Sequence, residues 1–519
     1  MASKSQPHGE AYPPLTGAAL ILAAIALSLG NFMVVLDTTV ANVAMPTISG
    51  DVGVSTNEGT WIITAYAVAE AITVPLTGWL ARTFGEVRLF TACTAAFVIC
   101  SILCGLSGSL GFLVIFRILQ GFAGGPLIPL SSTLLISVFP KEKANVALSI
   151  WGLMTVVAPI FGPIIGGYIS DNFHWGWIFY INIFFGVFVG STSWILLRNR
   201  ETEITRSRID IVGLALLVTF VSAFQLMLDK GRELDWFSSG LIMGAAITAG
   251  LALVLLIVWE LTDDHPVLDL ALFKSRNWLI STITLALMFG LFFGNIVLTP
   301  LWLQLMMGYT ATWAGLATAP VGILAIIISP WVGKNVARID PRKLASISFL
   351  GFGAVLVMRS HFNTQADFNT ILVPTVLQGA AMAFFFIPLQ AIIFSGLTPD
   401  RMPAAAGLSN FARITAGAIG TSIFTTVWEN RAALHHSELA EGINNANSAA
   451  TAAMSQLAAS GYDASQSMAM INRMIDQQAY TLAVNDLFFL SGVLFVVLLA
   501  FVWAAQPAKN VAVDAGGAH

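Results

Sequence analysis

Long stretches with almost no charge constrain this chain more than any other feature of its sequence. A helix crosses the hydrocarbon core of a bilayer, about 30 Å thick, with roughly 20 apolar residues. Only 10% of the 519 residues are charged, whereas soluble domains carry about 25%. We therefore predict an all-α membrane protein with fourteen transmembrane helices. They lie near residues 17–42, 59–81, 89–107, 111–137, 144–169, 175–197, 209–228, 240–260, 278–306, 312–337, 344–360, 370–397, 403–428 and 482–504.

The positions of Lys and Arg orient these helices. Cytoplasmic connections of membrane proteins carry an excess of positive residues. With both termini in the cytoplasm, 17 of the 24 Lys and Arg residues fall in cytoplasmic segments. Five fall on the outer side, namely Lys230, Arg232, Arg359, Arg431 and Arg473. This bias predicts a multi-pass protein of the inner membrane with both ends inside the cell.

An internal repeat divides the chain into two halves. Leu119-Gln120-Gly121 recurs as Leu377-Gln378-Gly379 at an offset of 258 residues, and Ile128-Pro129-Leu130 recurs as Ile387-Pro388-Leu389 at 259. Transporters are commonly built from such repeated halves. We predict two pseudo-symmetric six-helix bundles at 1–204 and 266–519, with an inserted helical pair at 205–265.

One outer connection is much longer than the others. Residues 429–480 are rich in Ala, Ser, Asn and Gln, and they include a helix-forming stretch around 450–460. We predict an external loop here. It is either a partly ordered connection or a docking surface for a periplasmic partner.

Two charged residues are predicted at the same depth below the outer surface. Counting 1.5 Å of rise per residue places Asp37 about 8 Å and Arg117 about 9 Å inside the outer ends of the first and fourth helices. Intramembrane charges usually pair and mark transport paths. An Asp37–Arg117 ion pair is therefore possible. It either joins two helices or holds the carboxylate charged until transport separates the pair.

Two further charges are predicted near the midplane. Glu70 lies about 16 Å deep in the second helix, where burial in hydrocarbon favours the neutral acid. A carboxyl group of this kind is suited to carry a proton or to attract a cationic compound. Arg413, in the thirteenth helix, either binds an anionic substrate or neutralises a carboxylate across the cavity between the halves. Together, Asp37, Glu70 and Arg117 are the candidate proton-coupling residues.

The remaining candidates line a cavity or carry the conformational change. Ligand pockets are lined by aromatic and apolar side chains together with a few polar groups. The predicted cavity residues are of both kinds: Arg413, Gln120, Phe293, Gln378 and Phe385. Small residues at helical spacing allow helices to approach closely. The string Ala158-Pro159-Ile-Phe-Gly162-Pro163-Ile-Ile-Gly166-Gly167 has that spacing in the fifth helix. It is predicted to form a tight contact between helices. Similar strings in antiporters imply that this contact lies at the outward gate between the halves.

These strings resemble the motifs of the major facilitator superfamily, in particular its fourteen-span drug:proton antiporters. The fifth-helix string is similar to the antiporter motif. Leu36-Asp37-Thr-Thr-Val-Ala-Asn42 is similar to the first-helix motif of the fourteen-span group, and Phe116-Arg117-Ile-Leu-Gln120-Gly121 to the fourth-helix motif. The loop motif is represented by Gly78, Arg82, Gly85 and Arg88, but Ala81 stands where that motif has an acidic residue.

Three further strings are His174-Trp-Gly-Trp-Ile-Phe, Leu234-Asp-Trp-Phe-Ser-Ser and Trp259-Glu-Leu-Thr-Asp-Asp. On these strings the chain resembles, within this group, inner-membrane exporters of the EmrB type. The resemblance implies proton-driven export of hydrophobic drugs by alternating access. It also implies a periplasmic adaptor of the EmrA type and an outer-membrane channel of the TolC type, which together form a tripartite pump. No cofactor and no enzymatic activity are expected.

Other functions stay open on the sequence. The chain could export fatty acids or other amphipathic metabolites, or import a substrate by symport, although the antiporter string argues against import. An intramembrane enzyme or a receptor is a further alternative. Asp263, Asp264 and His265 form an acidic cluster that has the ligand types of a metal site, but no nucleophile constellation or phosphate-binding loop accompanies it.

Overall fold

The computed structural model describes residues 13–140, 143–202, 204, 210–263, 268–336, 338–398, 401–443 and 448–507. Throughout these ranges the regular structure is helical. In the first half the helices are α1 (Gly17–Val52), the short α2 (Thr56–Gly59), α3 (Trp61–Phe84), α4 (Glu86–Gly105), α5 (Leu110–Gly124), α6 (Leu127–Val138), α7 (Ala144–Asn172) and α8 (Trp177–Leu197). These elements cover the first six predicted spans.

The inserted pair and the second half complete the chain. The pair consists of α9 (Ile211–Gly231) and α10 (Gly240–Thr262). The second half contains α11 (Arg276–Leu305), α12 (Ala311–Thr318), α13 (Val321–Asn335), α14 (Pro341–Arg359), α15 (Phe368–Ala383), α16 (Phe386–Ile393), α17 (Met402–Glu441), α18 (Ser448–Ala459) and α19 (Ala464–Ala504).

In each half, one predicted span is divided into two helices at the equivalent position. The fourth span is divided into α5 and α6, and its counterpart into α15 and α16. The first piece ends at Gly124 and Ala383 respectively, and the second begins at Leu127 and Phe386, so both boundaries are offset by 259 residues. Pro126, which has no N–H, immediately precedes α6. The break therefore follows the repeat detected in the sequence.

Thirteen helices in the described residues are long and apolar enough to cross a membrane. The fourteenth predicted span, 403–428, is also helical and forms the first part of α17. Its residues are mostly small or weakly polar, and many are buried, among them Ala405, Ser409 and Asn410. A helix enclosed by other helices does not need an apolar surface toward lipid, which explains its low hydropathy. The fold is thus that of a membrane protein with fourteen membrane-spanning segments.

The segment predicted as an external connection, 429–480, is mostly helical in its described part. The helix α17 continues to Glu441, and α19 begins at Ala464. A helix of about 40 residues is about 60 Å long, roughly twice the thickness of the hydrocarbon core. The extensions of α17 and α19 contact each other through Trp428, whose indole N–H donates to the Tyr480 carbonyl at 3.0 Å. We call these extensions, with α18, the outer helical hairpin.

Close helix contacts join the two halves. A Cβ atom added to Gly78 of α3 would lie 2.8 Å from the Cα of Ala404 in α17, and one added to Gly152 of α7 would lie 2.6 Å from the Phe386 ring. The inserted helix α9 also touches both halves. The Lys230 ammonium donates to the Thr60 hydroxyl at 2.8 Å, and the Ser422 hydroxyl of α17 donates to the Leu228 carbonyl at 3.0 Å. These contacts bring the charged residues of α3 and α17 together at the junction.

Candidate functional site

An ion pair between Asp37 and Arg117 lies at the centre of the first half. The Arg117 Nη1 atom is 2.5 Å from Asp37 Oδ2. The exposed fraction of the two residues is 1% and 0% respectively. The guanidinium also donates from Nε to the Ile62 carbonyl at 3.1 Å and lies 4.2 Å from the centre of the Tyr66 ring. The pair expected from matching depths is present, and it is enclosed by protein.

Amide side chains complete the hydrogen bonding of this carboxylate. Asp37 Oδ1 accepts from Gln120 Nε2 at 3.0 Å and from Asn182 Nδ2 at 2.6 Å. Both amides also donate to the Ser101 hydroxyl, at 2.7 and 3.1 Å. Hydrogen bonds from several donors stabilise a carboxylate in its charged form. We call these five residues, Asp37, Ser101, Arg117, Gln120 and Asn182, the Asp37 network.

The placement of Gln120 differs from the prediction. The sequence analysis assigned it to the cavity between the halves, but its side chain is fully buried inside the first bundle. It faces α1 and α4 through its bonds to Asp37 and Ser101. A polar residue on an otherwise apolar helix can face its own bundle or the cavity between the halves. The sequence contains no signal that decides between the two.

Glu70 is arranged differently from Asp37. Its side chain is 7% exposed, and its carboxylate has no hydrogen-bond partner among the described residues. The guanidinium groups of Arg413 in α17 and of Arg117 lie near enough to act electrostatically on it. The predicted cation in the other half therefore acts on this carboxylate across the junction of α3 and α17, although the two do not form a close ion pair.

Arg413 lies against an aromatic surface. Its guanidinium carbon is 4.8 Å from the centre of the Phe289 ring, which is a favourable cation–π distance. Phe289 in turn contacts Phe293 and Phe385, with ring centres 5.7 and 5.3 Å apart. Two of the predicted cavity residues, Phe293 and Phe385, thus pack against the ring that Arg413 contacts.

The other predicted cavity amide, Gln378, also faces inward. Its Oε1 atom accepts a hydrogen bond from Arg359 Nη2 at 2.7 Å. Arg359 was expected on the outer side, at the outer end of the predicted span 344–360. The structure instead folds its side chain into the second bundle, where the exposed fraction is 3%. As the last residue of α14, Arg359 is long enough to reach back inside from the helix end.

The antiporter string packs against α1. A Cβ atom added to Gly162 would lie 2.1 Å from the Thr39 hydroxyl, and one added to Gly166 would lie 3.1 Å from the Val40 carbonyl. Pro159 is buried in the same helix, and Pro163 lies one turn further on. No heavy atom lies within 4 Å of the corresponding position at Gly167. The close approach therefore fixes α7 against the turn of α1 that follows Asp37, within one half.

The loop motif contacts both halves. Gly78 lies against Ala404 of the second half, and Arg82 is half-buried in the last turn of α3. Gly85 has a positive φ of 87°, a conformation that favours glycine. The carboxylate of Glu201, at the end of the first half, accepts from the backbone N–H groups of Val87 and Arg88, both at 2.9 Å. A carboxylate thus reaches this turn from the segment that follows α8, while Ala81 occupies the usual acidic position.

Replacing Glu201 with alanine is expected to destabilise the first half. The first N–H groups of α4 would lose both acceptors, and the loss of a helix cap costs about 1–2 kcal/mol. Thermal unfolding of the purified protein should occur at a lower temperature than in the wild type. Glu201→Gln, which keeps one carbonyl acceptor, should show a smaller decrease. Equal unfolding temperatures for Glu201→Ala and the wild type would contradict this role.

Three functional candidates were missed by the sequence analysis. Ser101 and Asn182 belong to the Asp37 network, and Arg359 is buried in the second half. The available signal was a single polar residue within an apolar helix, as in Tyr180-Ile-Asn182-Ile-Phe. The acidic cluster of Asp263, Asp264 and His265 is not tested by the structure, because Asp264 and His265 lie outside the described residues.

Comparison with known proteins finds relatives along nearly the whole chain. The Major Facilitator Superfamily profile matches residues 27–421. Multidrug export protein EmrB of Escherichia coli K12 is 50% identical over 507 residues, which cover 98% of this chain and 99% of that protein. Fatty acid resistance protein FarB of Neisseria gonorrhoeae is 46% identical over 508 residues, which cover 98% and 100%.

Solved structures share the fold at low sequence identity. The proton:xylose symporter XylE aligns with a TM-score of 0.57 at 16% identity, covering 95% of this chain and 97% of that one. The human organic anion transporter MFSD10 aligns with a TM-score of 0.55 at 13% identity, covering 92% and 100%. At these identities the likeness concerns the fold alone.

Proposed function

Because this chain belongs to the major facilitator superfamily, we propose that it exports hydrophobic toxic compounds across the bacterial inner membrane in exchange for protons. The relatives named for multidrug export, which are about half identical to it over almost their whole length, support this function. The observation that carries the proposal is Glu70, a buried carboxyl without a hydrogen-bond partner in the described structure, at the junction of the two halves. Transport rather than enzymatic catalysis is the general activity of the family.

The mechanism we propose is alternating access with competition between a proton and the substrate. The unprotonated Glu70 attracts Arg413 or a cationic compound, whereas protonation removes that attraction. Either change alters the force between α3 and α17, which belong to different halves. A cavity between Gly152, Ser329 and Phe386 has a volume of about 10 Å³, room for about one water molecule. That cavity is too small for a drug, so in the proposed mechanism the halves separate there to admit one.

The Asp37 network has a different role in this proposal. Its carboxylate is already paired with Arg117 and accepts from two amides. Exchange of a proton there would require all of these contacts to rearrange. We therefore propose that Glu70 carries the transported proton, and that the Asp37 network fixes α1 relative to α5 and α8 and responds to movement of α7.

The residues around Arg413 also fit a second substrate class, amphipathic acids. Arg413 would attract a carboxylate, and the Phe289 and Phe385 rings would contact an alkyl chain. FarB, a relative at 46% identity, is named for fatty acid resistance. Export of fatty acids is therefore the alternative within the same mechanism.

The wider assembly is also proposed by analogy. The charge bias of the connections favours cytoplasmic termini, which places the outer helical hairpin in the periplasm. There it would be accessible to an adaptor of the EmrA type, which would lead to a channel of the TolC type.

The test is transport by inverted membrane vesicles with an imposed proton gradient. A lipophilic cation and an amphipathic acid are measured separately, with and without the adaptor. We expect accumulation of at least one compound when the vesicle interior is acidic, and loss of accumulation when the gradient is collapsed. Accumulation only under the reversed gradient would identify a symporter and would contradict the proposal.

A further inference from the structure

The second half contains a polar cluster at the positions that form the Asp37 network in the first half. Ser101, Arg117 and Gln120 correspond to Arg359, Thr375 and Gln378, and each pair is offset by 258 residues. Arg359 Nη2 donates to Gln378 Oε1 at 2.7 Å and to the Thr375 hydroxyl at 3.1 Å. Its Nη1 lies 3.4 Å from the Thr299 hydroxyl of α11. We call Thr299, Arg359, Thr375 and Gln378 the Arg359 cluster.

The two clusters differ in charge. In the first half, the cation of α5 is paired with Asp37 of α1. In the second half, the cation has moved to α14, threonine occupies the position of Arg117, and α11 contributes Thr299 instead of a carboxylate. Within the described residues, Arg359 forms no ion pair, and no charged group has a notable electrostatic effect on it. The cluster therefore carries one uncompensated positive charge.

Neutral partners do not remove the cost of this charge. Arg359 is 3% exposed, and a buried charge is unfavourable unless an opposite charge accompanies it. The carboxyl end of α14 contributes the equivalent of about half a negative charge. That partial charge leaves a substantial positive potential at the guanidinium.

The Arg359 cluster also contains hydrogen-bond donors that have no acceptor among the described residues. The Arg359 Nε atom is buried and has no acceptor in the part of the chain that the structure describes. The Gln378 amide nitrogen donates to no described residue, because only its oxygen is used in the contact with Arg359. In the Asp37 network, the equivalent amide nitrogen donates to the Asp37 carboxylate. The Arg359 cluster thus has the donors of that network but lacks the anion they bind.

We propose that the Arg359 cluster is a binding site for a single negative charge, a carboxylate group or a halide ion. A guanidinium binds a carboxylate through parallel N–H donors and also accepts a spherical anion. The free Nε–H of Arg359 supplies such a donor, and Gln378 supplies a second. The site itself is independent of the proposed export function, whereas its use for an amphipathic acid substrate rests on that function.

The replacement Thr299→Asp tests the site by supplying the missing carboxylate from the chain itself. Thr299 already lies against Arg359 Nη1, so the aspartate would pair with the guanidinium as Asp37 pairs with Arg117. Thr299→Asn is the matched control, because asparagine has almost the shape of aspartate but carries no charge. Both variants leave Glu70, Arg413 and the Asp37 network unchanged.

The measurement is thermal unfolding of the full chain in lipid nanodiscs, without a proton gradient. Sodium chloride and sodium decanoate are titrated separately, at an ionic strength kept constant with sodium methanesulfonate. We expect at least one probe to raise the unfolding temperature of the wild type and of Thr299→Asn. Its affinity should fall by about tenfold to a hundredfold in Thr299→Asp, which corresponds to the loss of a charged hydrogen bond.

The two probes distinguish the sources of the anion. Stabilisation by chloride identifies a site for a free ion, and stabilisation by decanoate alone identifies a site for the carboxylate of an amphipathic acid. The proposal is overturned if neither probe stabilises the wild type, or if Thr299→Asp responds as Thr299→Asn does. Because no transport is measured, failure of export elsewhere would leave this result unaffected.

Discussion

Replacement of Glu70 with glutamine is expected to abolish proton-driven export while the protein still folds. The carboxylate has no hydrogen-bond partner in the described structure, so a neutral amide of almost the same shape breaks no contact there. A group that cannot change its charge, however, cannot alternate between a proton and a substrate. Transport along a proton gradient should therefore fall to the level of vesicles without the protein, whereas energy-independent exchange of substrate should persist.

The control for this variant is Glu58→Gln. Glu58 is an exposed carboxylate just before α3, and its partners are the backbone and hydroxyl of Ser55. The control should transport at the wild-type rate. Gradient-driven export by Glu70→Gln at that same rate would remove Glu70 from the mechanism and leave Asp37 as the candidate.

Replacement of Asp37 with asparagine is expected to damage the fold itself. It leaves the fully buried Arg117 without its charged partner, and breaking a buried ion pair in this way costs about 3–5 kcal/mol. The asparagine amide would also direct donors toward Gln120 or Asn182, which are donors themselves. On sequence grounds alone, this variant would be expected to fold and lose only transport. The enclosed network predicts a much lower unfolding temperature.

A double variant separates the pair from its surroundings. Asp37→Asn combined with Arg117→Gln removes both charges and should recover part of the stability that each single replacement loses. The measurement is thermal unfolding of the four proteins in detergent, arranged as a double-mutant cycle. Strictly additive losses, or a single Asp37→Asn variant as stable as the wild type, would show that the pair is energetically unimportant.

Much of the fold could be predicted, because each span is a long apolar run and each connection has a biased charge. The position of the Asp37–Arg117 pair followed from helix rise alone, since helices that cross one slab place residues of equal depth side by side. The break between α5 and α6 was not predicted, although it recurs between α15 and α16 at the offset of the repeat.

The remaining features depended on information that one chain does not display. Gln120 and Gln378 face into their own bundles because Asp37 and Arg359 lie there, and a single helix does not reveal which neighbour its polar residue faces. The helix-forming stretch around 450–460 was predicted, but the extensions of α17 and α19 were not, because polar and alanine-rich sequence is common to loops and to solvated helices. Arg359 escaped because a residue at a helix end can extend outward or fold back.

The most direct test of the central claim is proton release on substrate binding by the purified protein in weakly buffered detergent solution. If substrate displaces the proton of Glu70, addition of a lipophilic cation should acidify the solution for the wild type and for Glu58→Gln. Glu70→Gln should still bind the compound, although more weakly, and release no proton. Proton release by Glu70→Gln equal to that of the wild type would contradict the assignment of the coupled proton to this carboxylate.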